Sequence, residues 1–154
     1  MSDRTPGTLD FIASALPLVW IGVVVGVSGI ATPAKFQAPN LDGALALAIS
    51  VVTFAWAHTT EAVIAAATAL LLVLTKARWT QWLLLVIAAI ALALQIDWIL
   101  PGFSGGVSSI SLLPVLDFKQ LHTAFGVTEV VKVVALIALA FLTFRRSVTA
   151  GTAT

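Results

Sequence analysis

The chain has 154 residues, 60% hydrophobic and 10% charged, with a formal net charge of +1. That apolar share exceeds the roughly 45–50% of soluble domains, and a mean hydropathy of +1.08 makes the chain an integral membrane protein. It has no cysteine, which excludes disulfides, thiolate metal sites and cysteine nucleophiles; no basic run or Gly-rich phosphate loop points to nucleic acid or nucleotide.

Residues 1–10 read as a short polar tail carrying Asp3, Arg4, Pro6 and Asp10. No charge appears from Phe11 to Ala34, a run longer than the roughly 20 residues that span a bilayer, so a first transmembrane helix is placed at about 11–32. The small residues of Ala31-Thr32-Pro33-Ala34 resemble a cleavage site, but the run is too long and its leading segment lacks a basic excess, so no signal-peptide cleavage is expected. Gly22 and Gly26, extended by Gly29, are expected to let a neighbouring helix of the bundle approach closely. Pro33 and Pro39 bracket Lys35-Phe36-Gln37 and predict a loop, since neither proline continues a helix without losing a hydrogen bond.

Residues 41–75 read as helical throughout, which at 1.5 Å per residue would reach about 52 Å, beyond the hydrocarbon core. The part at 42–54 is therefore expected to project from the membrane or lie at its surface, leaving 55–75 as the second span. His58 and Glu61, three apart, share one face of it. Lys76-Ala77-Arg78 is a basic connection to a third helix at about 79–98, with Trp79 and Trp82 at one end and Trp98 at the other, as interfacial belts require. Asp97 marks its far boundary. A turn-rich loop is predicted from Pro101 through Gly102, Gly105 and Gly106 to Pro114, Asp117 and Lys119, long enough to carry function. The fourth span is placed at about 123–144.

These elements predict a single all-α integral membrane domain over residues 1–154, an antiparallel four-helix transmembrane bundle. One side carries Arg4, Lys76, Arg78, Arg145 and Arg146, the other Lys35 and Lys119, so the positive-inside rule puts both termini in the cytoplasm.

Glu129 and Lys132 lie well inside the fourth apolar run, where each charge costs about 2.5–3.5 kcal/mol on insertion scales. Counted from the cytoplasmic helix ends, Glu61 is about 21 Å deep and Lys132 about 20 Å. His58 and Glu129 form a second layer at about 26 and 24 Å. A two-layer cluster is expected, with Glu61 paired to Lys132 and Glu129 meeting both His58 and Lys132. Glu61, Glu129 and Lys132, all ionised, would leave one unbalanced negative charge, to be met by a proton, a protonated His58, a cation or a ligand. His122, seven residues before Glu129, falls on nearly the same face further out. Gln95 and Asp97 approach the same level from the third helix.

Three readings of the cluster stand side by side. It fixes helix register as a satisfied salt bridge; it is a binding or transport site, as intramembrane ionisable groups usually are; or two histidines and two glutamates converge on a metal or haem. In the second reading Glu61 and Lys132 are a coupled pair, Glu129 the proton- or cation-responsive group, and His122 with Lys35 the entrance. In the third, His58 is the candidate metal ligand. His58-x-x-Glu61 reverses the order of the Glu-x-x-His pairs of di-iron bundles, whose full ligand set is absent from the chain.

Trp20-Ile21-Gly22, Ala31-Thr32-Pro33-Ala34-Lys35-Phe36, Glu61, Leu121-His122 and Glu129-Val130-Val131-Lys132 resemble a family of small uncharacterised bacterial four-helix membrane proteins. The resemblance spans most of the chain and implies a multi-pass protein of the bacterial cytoplasmic membrane. At position 58 that family is expected to carry another polar residue, often asparagine, which counts against the metal reading. Ala57-His58 also gives a distant likeness in layout to copper-resistance D-type proteins and haem-dependent epoxide isomerases. The leading expectation is a protein that binds or passes a small molecule or ion, or is an accessory subunit of a membrane complex. The alternative is a haem- or metal-dependent isomerase or oxidoreductase. The expected partners are the lipid bilayer and a second copy or a larger membrane complex, since four spans alone offer little wall for transport; Gly22 and Gly26 would support such oligomerisation.

Overall fold

The computed structural model describes residues 8–103 and 114–151. All regular structure among them is helical, arranged as four long helices: α1 (Thr8–Lys35), α2 (Gly43–Leu74), α3 (Trp79–Phe103) and α4 (Phe118–Gly151). Each is long and apolar enough to cross a membrane. In chain order they close a ring, α1 against α2, α2 against α3, α3 against α4 and α4 against α1. The tail before Thr8, with Arg4, and the predicted loop glycines Gly105 and Gly106 lie outside the described residues.

Local chemistry sets the helix ends. Asp42 caps α2 by accepting from the Leu45 amide at 2.7 Å. Asp117 and Gln120 cap α4 reciprocally: Asp117 Oδ1 accepts from the Gln120 amide at 2.8 Å, and Gln120 Oε1 accepts from the Asp117 amide at 3.0 Å. This capping box starts the helix at Phe118 rather than at the predicted 123, and Lys119 sits in its first turn, not in a loop. Between α2 and α3, Lys76 takes φ 52°, its amide donates to Val73 O at 3.0 Å and the Ala77 amide to Leu72 O at 2.8 Å. That is the Schellman arrangement, which uses one left-handed residue to satisfy the last carbonyls of a helix. The Arg146 guanidinium donates to the Thr75 carbonyl and ties α4 to this turn.

Two prolines stand inside helices where the sequence predicts loops. Pro33 lies in a helical turn, Thr32–Lys35, and Pro101 in another, Leu100–Phe103. Each turn follows a π-helical segment, Val25–Ala31 and Gln95–Ile99, in which the Thr32 amide reaches back to Val27 O and the Leu100 amide to Gln95 O. The shift from i−4 to i−5 bonding accommodates the carbonyl that a proline leaves without a donor, so the helix passes through. As a result α1 extends through Lys35 and α3 runs past Asp97. The segment 42–54 forms the first turns of α2, continuous with the rest; Ala46 and Ser50 are buried.

Large apolar side chains such as Trp56 and Val63 face outward, while Lys132, Gln95, Gln81, His58 and Glu61 are buried. This inversion suits a bundle solvated by lipid, in which charged groups face the interior. An apolar core built from Trp20, Leu72, Leu85, Leu92, Leu136 and Leu139, among others, holds the helices together around the polar residues. The Gly22 and Gly26 expectation is corrected: among the described residues a Cβ at either position meets nothing within 4 Å, so neither glycine serves close packing against another of the four helices. Both lie on the side of α1 away from the tightly packed stripe of Ala13, Pro17, Trp20 and Val24.

Candidate functional site

Three of the bundle's four helices deliver a charge or a strong dipole to one point, and the fourth supplies both a carboxylate and the ammonium. Helix α4 places Glu129 and Lys132 three residues apart on its inner face, α2 places His58 and Glu61, α1 contributes Trp20, and the π-helical turn of α3 contributes Gln95. Lys132 Nζ lies 2.6 Å from Glu61 Oε2 and 3.0 Å from Glu129 Oε1, and it donates to Gln95 Oε1 at 2.7 Å. Three acceptors for three N–H groups leave the ammonium fully satisfied, although Lys132 is 0% exposed.

The acceptors are held in turn. Trp20 Nε1 donates to Glu61 Oε2 at 2.7 Å, and Gln95 Nε2 donates to Glu129 Oε1 at 2.9 Å and to Thr128 Oγ1 at 3.0 Å. The Gln95 amide is thus oriented by what it touches: its oxygen faces the ammonium and its nitrogen the carboxylate. Low dielectric strengthens each of these bonds and penalises any polar atom left out.

Three atoms are left out. Both ring nitrogens of His58 and Oε2 of Glu129 are buried without a hydrogen-bond partner among the described residues. His58 and Glu129 come together, a ligand atom of each lying with one from Glu61 within 4.8 Å of the others, without a hydrogen bond between them. On its other side His58 meets aromatic rings, with Phe54 at 6.0 Å and Phe125 at 6.3 Å between centroids, and those two rings pack edge to face at 4.9 Å. Lys35 sits beyond Phe54, donating to Ser50 and lying 6.0 Å from the Phe54 ring centre. Ser50, Phe54, His58 and Glu61 follow one another along one face of α2.

The structure thus brings Glu61, Glu129, Lys132 and His58 together and puts Lys35 one aromatic layer away. His122 is not among them: it is exposed near the N-terminal end of α4, so the two histidines do not converge and a paired-histidine haem site has no basis among the described residues. Trp20, Gln95, Thr128 and the Phe54–Phe125 pair complete the surroundings and were not identified from sequence as parts of the site. The sequence reading puts Gln95 at the level of His122, further out; in the structure it lies beside Lys132 and Glu129, where a glutamine in an apolar helix finds its partners.

Comparison with known protein families, with curated proteins and with solved structures returns no match.

Proposed function

We propose that this chain is a multi-pass protein of the bacterial cytoplasmic membrane, of the small four-helix family its motifs resemble, with both termini cytoplasmic. Its buried cluster binds or passes a small cationic or hydrogen-bonding species, alone or as a subunit of a membrane complex. The observation that carries this reading is the set of unpartnered atoms, His58 Nδ1 and Nε2 and Glu129 Oε2, beside a group whose formal charge is one negative in excess. A purely structural ion pair has no use for them. Each unpaired buried polar group costs about 1–3 kcal/mol, and apolar side chains would fill the same space without that cost. A positively charged or donor-bearing occupant satisfies these atoms and balances the charge together.

Thermal unfolding of the purified protein in mild detergent, measured across a panel of cations and small polar molecules, tests this reading. At least one occupant is expected to raise the unfolding temperature of the wild type and to leave Glu129→Gln unchanged. A wild type indifferent to the whole panel would reduce the cluster to a register-fixing ion pair.

A further inference from the structure

The chemistry of the unpartnered atoms narrows the class of occupant, a step that rests on the cluster being a binding site. His58 is only 2% exposed and its ring nitrogens have no hydrogen-bond partner, while carboxylate oxygens of Glu61 and Glu129 stand within 4.8 Å of it and of each other. Alkali and alkaline-earth cations favour shells of oxygen, whereas one imidazole with two carboxylates is a donor set for a divalent transition metal. Zinc takes nitrogen at about 2.0–2.1 Å and carboxylate oxygen at about 2.0–2.2 Å, so two of its ligands stand up to roughly 4 Å apart. Side-chain adjustments on the order of 1 Å bring the group to that spacing. The Phe54 and Phe125 rings limit water on the open side of the imidazole.

We propose that His58, Glu61 and Glu129 form a site for a divalent transition-metal ion of the zinc type, and that Lys132 is its built-in competitor. Without metal, the Lys132 ammonium supplies positive charge to both carboxylates, at 2.6 and 3.0 Å. An arriving dication replaces it there, and Lys132 keeps Gln95 Oε1, which accepts from it at 2.7 Å and belongs to none of the three metal ligands. Two positive centres so close repel, so Lys132 holds the metal affinity down and makes the ion exchangeable. Two carboxylates match a dication in charge once that ammonium is gone.

The test uses the full chain, purified in mild detergent with a tag that contains no histidine, stripped with chelator and titrated with Co2+ while its visible spectrum is recorded. The wild type is expected to bind one Co2+ per chain with a d–d absorption band that Zn2+ displaces. His58→Phe and Glu129→Gln lose the band, and Lys132→Met binds about tenfold tighter or more, as removal of a like charge worth upwards of 1.4 kcal/mol implies. Absence of a band in the wild type overturns the metal site, and that spectrum decides the matter even if the ligand variants or Lys132→Met, which strands both carboxylates when metal-free, do not accumulate. If no band forms but another ligand stabilises wild type and not Glu129→Gln, the metal assignment fails and the binding site stands. If no ligand of any kind acts, both fail.

Discussion

At the scale of single residues the polar cluster makes asymmetric demands. Removing one member of a buried ionic group leaves its partners charged and unpaired, which costs about 3–5 kcal/mol. Lys132→Ala, which strands Glu61 and Glu129 together, is therefore expected to be among the most damaging single substitutions, read as loss of accumulated protein and a lower unfolding temperature. Trp20→Phe keeps most of the ring volume and removes the donor that holds Glu61 Oε2 at 2.7 Å. A hydrogen bond to a charged group contributes about 1.5–3 kcal/mol, so this variant should fold with an intermediate loss of stability. An effect of Trp20→Phe as large as that of Lys132→Ala would show that the ring packs against something the hydrogen bond does not explain. The Glu61–Lys132 proximity is legible in the sequence because helical rise is fixed: equal counts from the cytoplasmic ends give equal depth. Which way each side chain points around its helix is not fixed by counting. For that reason counting alone places neither Trp20 nor Gln95 in the site, and it does not say whether His58 and Glu129, at neighbouring depths, bond to each other.

At the scale of elements, the spans are legible from apolar length and so is the 76–78 connection between the second and third, but the remaining ends are not. Proline reads as a stop because an α-helix cannot satisfy the carbonyl four residues earlier. Here π-helical segments absorb the defect at Pro33 and Pro101, and nothing in local composition announces them. The segment preceding Pro101 also begins at Gln95, so the same irregularity that admits the proline sets the position of a residue in the polar cluster. Asp117 and Gln120 have capping-box spacing in the sequence, but the glycines and Pro114 before them give the stretch the composition of a loop. Asp117→Ala is expected to cost about 1 kcal/mol, a small downward shift in unfolding temperature with the cluster intact. Lys76 holds φ 52°, a conformation that costs a non-glycine residue roughly 1 kcal/mol or more. Lys76→Gly should therefore stabilise the α2–α3 turn, and a β-branched residue there should destabilise it; an unfolding series across the three proteins checks the order.

For the whole molecule, the apolar exterior and polar interior fix what the bundle can be. Among the described residues its outward surface is mostly hydrocarbon and rings, with hydroxyls such as Thr59 and Thr60 bonded back to their own helix, while Glu61, Glu129 and Lys132, the charges deep within the spans, turn inward. The orientation rests on Lys76, Arg78, Arg145 and Arg146 sharing one end. A fluorescent protein fused to the C-terminus should fluoresce in the cytoplasm, and alkaline phosphatase inserted between α3 and α4 should be active; the opposite pattern would invert the topology. A buried charged triad contributes little net stability compared with neutral groups of similar shape, and its replacement is often neutral or stabilising by about 1–4 kcal/mol. The decisive measurement is thermal unfolding of the combined variant Glu61→Gln, Glu129→Gln, Lys132→Met beside the wild type, with and without the stabilising ligand. If the cluster exists to bind, the combined variant unfolds at or above the wild-type temperature and no longer responds to ligand. A combined variant that unfolds far below the wild type, with the wild type itself indifferent to every ligand, would show that these charges serve the fold alone.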